Sequence, residues 1–420
     1  MSLLDMIKQK SICKDVFFIA GGTVIAHGFT MAIMPVISRL YSPSDFGVAS
    51  LFVAIMSILT PFSSLRYFLA IALPKSQKHA ESLVLLSFFI QIIYFAFVFC
   101  VFIFIGEIIL NCLDMHPLVD YKLLIPFGVL GASAYETLVQ CAIRAKLFSL
   151  IGRTKISQSI SGGLAKIGIG AFAPSPLGLI IGTIIGQAGG ITSIMLALGK
   201  IRFFKSKRLY QLKRVAIKYR NFPFYEVPLT VLNNAGIQII SILMFSFYGA
   251  ADAGLFSMAN QLLAIPSAIV GSAIGQVFLQ RASVARYNGN LDRLTWKTYK
   301  ALIISCIVPM LFFAIFSPMI FKFIFGARWT EAGIYARYLV PVSLVSFAYS
   351  PISHIFNILN KQKLAFQLEI IYFLSKISFF YLGTSWGDPH IALAFYSFGG
   401  TLGVLLRTFY ALKSAKVVSE

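Results

Sequence analysis

A chain of 420 residues that is 58% hydrophobic and only 12% charged is not an ordinary soluble domain, whose charged fraction is about twice that. Its formal net charge of +21 would suit nucleic acid, but the basic residues lie between apolar runs and not on an exposed domain carrying base-reading groups, which argues against that partner. Stretches of about 20 apolar residues, enough to cross a ~30 Å hydrocarbon core, recur along the whole chain and predict a polytopic membrane protein.

Twelve spans are predicted, taken here in chain order. Span one (15–38) follows Lys8, Lys10 and Lys14. It is too long for a signal-peptide core and lacks a small-residue cleavage site, so it is read as retained. Span two (46–72) is followed by Lys75 and Lys78, span three (82–106) by Glu107, Asp114 and Asp120. Span four (121–145) is separated from span five (154–173) by Arg144, Lys146, Arg153 and Lys155. A turn at Pro174, Ser175 and Pro176 divides span five from span six (177–199). Nine Lys or Arg and no acid then occupy 200–220.

Span seven (222–248) leads to Asp252, and span eight (253–280) to Arg281, Arg286, Arg293, Lys297 and Lys300. Spans nine (300–325) and ten (332–359) precede Lys361 and Lys363; Asp388 lies between span eleven (365–384) and span twelve (390–412), and Lys413 and Lys416 follow. Lys and Arg thus alternate with neutral or acidic loops, which places both termini and the 200–221 loop in the cytoplasm. The five cysteines form no CxxC pair, and neither disulfides nor a metal site is expected.

Half of the chain repeats the other half. Tyr41, Asp45, Gly47 and Ser50 in "RLYSPSDFGVAS" return as Tyr248, Asp252, Gly254 and Ser257 in "SFYGAADAGLFS", all at an offset of 207. Phe17/Phe224, Thr23/Thr230 and Ile33/Ile240 share that offset, His27 falls opposite Asn234, and "LAKI" (164–167) meets "LSKI" (374–377) at 210. An even number of spans per repeat gives parallel repeats, a plan used by transporters. The expected fold is therefore all-α and polytopic, with twelve transmembrane helices in two parallel six-helix lobes around a central cavity. The lobes are set at 1–199 and 222–420, joined by a basic cytoplasmic linker at 200–221. In "YSPSD", Ser42 can cap span two, Pro43 suits the first helical position and Asp45 can reach back as in a capping box. Asp252 is expected to do similar work for span eight.

Ionisable groups at membrane depth are costly and mark function. Lys166 lies eleven or so residues into span five, about 16 Å along the helix, and Lys376 is equally deep in span eleven. Two such lysines can line a cavity suited to an anion, or each can pair locally, Lys376 with Glu369 for instance. Arg66 belongs to the first half only, and its planar fork suits a phosphate. Glu136, with Gln140 one turn on, is read as a carrier of a coupling proton or as a partner of Lys166. Glu226, His27 and Asn234 complete the candidate polar groups; for the last two, helix–helix hydrogen bonding is an equal reading. Prolines inside spans, among them Pro35, Pro61, Pro309 and Pro341, can kink helices. P-loop, HExxH and GxSxG motifs are absent, so no catalytic residue and no resident cofactor is expected; a proton or sodium gradient is the candidate energy source.

"RNFPFYEVPLTVLNNA" with "AGLFSMANQLLAIPSAIVGSAIGQVFLQRAS" resembles the seventh and eighth spans of polysaccharide-transporter flippases, and "LYSPSDFGVASLFVAIMSIL" with "LRYFLAIALPKS" their first-half signature. "LGLIIGTIIGQ" and "SPISHIFNILNKQK" are similar to the sixth and tenth spans. The resemblance covers nearly the whole chain and points to the Wzx-type flippases of the MOP superfamily, which includes the MATE transporters. It implies translocation of an undecaprenyl-pyrophosphate-linked oligosaccharide by alternating access across the bacterial inner membrane, for O-antigen or capsule-type polysaccharide synthesis. Arg66, Lys166 and Lys376 would then correspond to the family's basic cavity. A downstream polymerase and chain-length regulator are the implied partners, beside membrane lipid. The competing expectations are a MATE-like multidrug exporter and, from another class, a polytopic O-antigen polymerase or glycosyltransferase.

Overall fold

The computed structural model describes residues 3–200, 212–267, 271–286, 289–359 and 361–419. Within the described residues the chain is helical throughout. Among the described residues, nine helical stretches are long and apolar enough to cross a membrane. Backbone amides in hydrocarbon have no water to bond, and a helix satisfies them internally. The expected spans four and five are also helices, made less apolar by charged residues such as Glu136, Arg144, Arg153, Lys155 and Lys166. The expected span eight contains two described helices, one ending at Pro266 and one beginning at Ser272, and residues 268–270 between them lie outside the described residues. Half of the expected linker, residues 201–211, lies outside the described residues.

The chain divides into two compact units, Met1–Ala251 and Asp252–Glu420. The first contains α1 (Leu3–Leu40), α2 (Pro43–Ser63), α3 (Gln77–Phe104), α4 (Gly106–Cys112), α5 (Leu124–Arg144), α6 (Phe148–Phe172), α7 (Pro176–Ala188), α8 (Ile191–Lys200), α9 (Leu212–Lys218) and α10 (Val227–Tyr248). Helix α11 (Ala250–Pro266) crosses into the second. There follow α12 (Ser272–Ala285), α13 (Leu291–Phe325), α14 (Thr330–Ile352), α15 (Ile355–Ile358), α16 (Gln362–Thr384) and α17 (Pro389–Ser419).

The capping box forms. Asp45 N–H donates to Ser42 Oγ at 3.2 Å, Ser42 N–H donates to Asp45 Oδ2 at 2.7 Å, and Pro43 opens α2. Its repeat mate does different work, for Asp252 accepts a hydrogen bond from the Tyr335 hydroxyl of α14. Polar groups stitch the first unit. Thr30 of α1 and Ser159 of α6 share a hydrogen bond of 2.8 Å, and the Tyr41 hydroxyl donates to the Lys166 carbonyl at 2.6 Å. Gln91 Nε2 of α3 reaches Thr137 Oγ1 of α5 at 2.8 Å, and Asn234 Nδ2 of α10 reaches the Ser57 carbonyl of α2 at 2.7 Å. At Gly47 the backbone of α2 comes so near that a Cβ would fall 1.9 Å from the Ala250 carbonyl oxygen.

Large apolar side chains face outward, which would be a fault in water and is the rule in lipid. Phe104, Phe172 and Phe323 are almost fully exposed. The buried clusters sit inside each unit. One gathers Phe68, Ile71, Leu138, Cys141 and Ile151; the other gathers Phe278, Ile352, Phe356, Leu368 and Val404.

Candidate functional site

The expected span two is not one helix. α2 ends at Ser63, Leu65 and Arg66 take left-handed backbone angles (φ 48° and 59°), and a 3-10 turn runs from Tyr67 to Ala72. Non-glycine residues adopt this conformation at a cost of roughly 1–2 kcal/mol each, so two in succession mark a place where the surroundings hold the chain. Arg144 of α5 supplies part of that hold, its Nη1 donating to the carbonyls of Ile71 (3.1 Å) and Pro74 (2.7 Å). The break therefore presents Arg66 from a joint, not from a helical turn.

Arg66 Nη1 lies 3.7 Å from Glu136 Oε2 of α5, and its guanidinium covers the Phe68 ring at 5.0 Å. Its Nε is buried and has no hydrogen-bond partner among the described residues. Lys155 of α6 adds to the positive field at Glu136, and its Nζ sits 5.0 Å from the centre of the Tyr135 ring. Glu136 thus meets Arg66 directly, with Lys155 adding to the field, and makes no ion pair with Lys166, the partner that its sequence position had suggested. The reason is position: Lys155 and Lys166 share a face of α6 but lie eleven residues apart, about 16 Å by helical rise.

Lys166 is half-buried, and its stem packs on α7 where Gly182 leaves room, since a Cβ there would fall 2.3 Å from Lys166 Cγ. Among the described residues it makes no ion pair within 4 Å.

The second unit holds a cluster of similar composition. Glu369, Tyr372 and Lys376 recur at i, i+3 and i+7 on one face of α16. Arg407 Nη2 of α17 meets Glu369 Oε2 at 2.6 Å. The Tyr372 ring takes Lys376 Nζ at 4.3 Å and Arg407 Cζ at 4.9 Å, and Arg407 also covers Tyr349 of α14 at 4.5 Å. Lys376 is 5% exposed. The direct ion-pair partner of Glu369 is therefore Arg407. A long arginine on a neighbouring helix reaches that carboxylate more easily than a lysine two turns along the same helix.

Each unit thus contains one glutamate with two cations, and in each a lysine lies against a tyrosine ring. Cation–π contacts out of water are worth up to about 2 kcal/mol. The two clusters are not repeat mates: Glu136 and Lys155 lie on α5 and α6, whereas Glu369 and Lys376 share α16. In each cluster the cations outnumber the carboxylate, so the net charge is positive and suits an anion.

The other candidates are not drawn into the clusters. Asn234 is committed to the Ser57 carbonyl, and the Glu226 carbonyl accepts from Thr230 Oγ1 at 2.7 Å beside a turn of π-helix, Phe222–Glu226. His27 on α1 and Gln140 on α5 are half-buried. Lys155 and Arg407 were missed from sequence. Lys155 counted as loop charge because α6 starts six residues earlier than expected, at Phe148. Arg407 was legible as a cation inside an apolar run.

Comparison with known proteins follows the same direction. Residues 36–333 match the family described as "Polysaccharide biosynthesis protein". The chain is 20% identical over 344 residues to the succinoglycan biosynthesis transport protein ExoT of Rhizobium meliloti (strain 1021), matching 78% of this chain and spanning 65% of that relative's length. Among solved structures, the lipid II flippase MurJ in an inward closed conformation aligns with a TM-score of 0.73 at 16% identity, over 94% of this chain and 89% of MurJ. A mutant of the Vibrio cholerae MATE transporter VcmN aligns at 0.65 with 14% identity, over 97% of each chain. An inward-facing multidrug resistance MATE family transporter of the MOP superfamily gives 0.64 at 11% identity, over 95% of each. At such identities the likeness is one of fold.

Proposed function

Because this chain belongs to the polysaccharide biosynthesis protein family, with the all-helical membrane fold of the MOP transporters, we propose that it is a flippase for a lipid-linked oligosaccharide. The substrate class is an undecaprenyl-pyrophosphate-linked oligosaccharide, carried from the cytoplasmic to the periplasmic leaflet of the bacterial inner membrane by alternating access. Both termini lie in the cytoplasm, the glycan serves O-antigen or capsule-type synthesis, and a polymerase acts downstream.

The observation that carries this reading is the surplus of cations at membrane depth. Arg66, Lys155 and Lys166 outnumber Glu136 in the first unit, and Lys376 and Arg407 outnumber Glu369 in the second. A pyrophosphate cannot cross hydrocarbon unaided, whereas its polyprenyl tail is already at home there. Fixed cations replace the water its charges lose, and arginine forks match phosphate oxygens two at a time.

The second reading, export of cationic drugs, would require carboxylates open to a cation. Glu136 and Glu369 are instead engaged by Arg66 and Arg407. The chain acts as a transporter rather than an enzyme in this reading, with a proton or sodium gradient as the energy source and Glu136 as the group to test for coupling.

Complementation of a flippase-deficient strain tests the proposal. Restored surface glycan, with lipid-linked sugar no longer accumulating on the cytoplasmic side, is the expected result. Unchanged accumulation beside a correctly inserted protein would overturn it.

A further inference from the structure

A groove of about 620 Å³ opens between α12 and α13, within the ~300–1,000 Å³ range of small-molecule sites. Arg281 from α12 and Arg293 and Lys297 from α13 line it, together with Gln280, Asn290 and the apolar Val284. Among the described residues no acidic side chain lines it. Among the described residues the three cations make no ion pair and no hydrogen bond, whereas neighbouring Arg286 donates to the Ile358 carbonyl at 2.7 Å and serves the fold.

The groove's depth relative to lipid can be read from α13. With 35 residues this helix is about 52 Å long, well beyond the ~30 Å of hydrocarbon it has to cross. Ile304, Val308, Leu311 and Ile315 form an exposed stripe along one face, the surface that hydrocarbon covers. Arg293 and Lys297 continue the same face toward the helix start, Lys297 standing about 10 Å before Ile304 by helical rise. One face therefore runs from charge to apolar side chains, in the order in which a phospholipid runs from headgroup to acyl chain. Trp296 is exposed beside Lys297 and tilted against Tyr299 with ring centres 6.2 Å apart. Such aromatics gather at the membrane interface.

We propose that this groove is a binding site for the phosphate headgroup of an anionic bilayer phospholipid in the cytoplasmic leaflet. Two arginine forks and one ammonium take the phosphate oxygens, Gln280 and Asn290 offer uncharged donors to the glycerol, and the acyl chains lie along the Ile304–Ile315 stripe. Basic pockets between helices on this side of a membrane protein recognise such headgroups. The groove shares no lining residue with the Glu369–Arg407 cluster, and its occupant in this proposal is a resident lipid, not the transported one.

The full chain, purified in detergent and supplied with phosphatidylglycerol or phosphatidylcholine, tests this by native mass spectrometry. The wild type is expected to retain phosphatidylglycerol and not phosphatidylcholine, and the triple variant Arg281→Gln/Arg293→Gln/Lys297→Gln to retain about tenfold less. The control Lys75→Gln/Lys78→Gln, which removes exposed cations elsewhere, is expected to behave as wild type. Equal loss in the control would reduce the site to general surface charge and overturn the proposal, as would full retention by the triple variant. Displacement of the lipid by millimolar inorganic phosphate would also overturn it, since the groove would then take the free ion. Retention is measured without transport, so its failure leaves the flippase reading standing.

Discussion

Arg407 and Glu369 meet across 2.6 Å from adjacent helices, and the Tyr372 ring below them faces Arg407 on one contact and Lys376 on another. One carboxylate is shared among cations that outnumber it. Taking charges out of water is repaid only by close partners, so removing a partner hurts more than removing the pair.

Glu369→Ala alone is therefore expected to lower stability by about 2 kcal/mol, less than the ~3–5 of a fully buried pair, because this carboxylate keeps some contact with the surface. The double variant Glu369→Gln/Arg407→Gln should lose less than the single one. Thermal melting in detergent reads both, and a double variant less stable than the single would contradict the pairing.

Alanine in place of Lys166, Lys376 or Arg66 should abolish surface glycan while leaving the protein in the membrane. Lys155→Ala belongs with them because its charge reaches Glu136. Glycan display is scored beside membrane fractions. Normal display from all four would remove the cationic path as the basis of transport.

Asn234 separates a fold role from a transport role. Its side chain is bonded to the Ser57 carbonyl, so Asn234→Leu should cost about 0.6–2 kcal/mol, the usual worth of an interhelical hydrogen bond in a membrane. Glycan display should persist. Loss of display with unchanged melting would instead place Asn234 in the substrate's path.

At the start of α2, Ser42→Ala should cost about 1 kcal/mol, the usual worth of an N-cap. Gly47→Ala should cost roughly 1–3 kcal/mol by overpacking, because its Cβ would meet backbone at Ala250 that no rotamer can move. Melting temperatures of the two variants check the order: the glycine variant is expected to be the less stable.

Much of this was readable from residue pattern, and the physical reasons for what was not are specific. Span positions follow from apolar run length, which the bilayer enforces, so helices such as α3 and α16 fell close to their expected bounds. The capping box was legible because Ser42, Pro43 and Asp45 act within one turn. The break at Leu65–Arg66 was not, because no glycine announces it and tertiary contacts such as those of Arg144 hold it. The partners of Glu136 and Glu369 escaped for a related reason. Spacing along one helix predicts neighbours on that helix, whereas both glutamates found arginines from elsewhere in the chain.

That same joint sets how Arg66 can change over evolution. A charge carried in mid-helix can be re-aimed only by moving it from one position to the next, in jumps of about 100° around the axis. A charge carried on a joint is steered by two backbone torsions and by whatever braces them. Substitutions at Ile71, Pro74 or Arg144 can therefore swing the guanidinium by small amounts while its own codon stays fixed. Any chain built on the same joint has, in this bracing, a fine adjustment separate from the coarse choice of which residues bear charge.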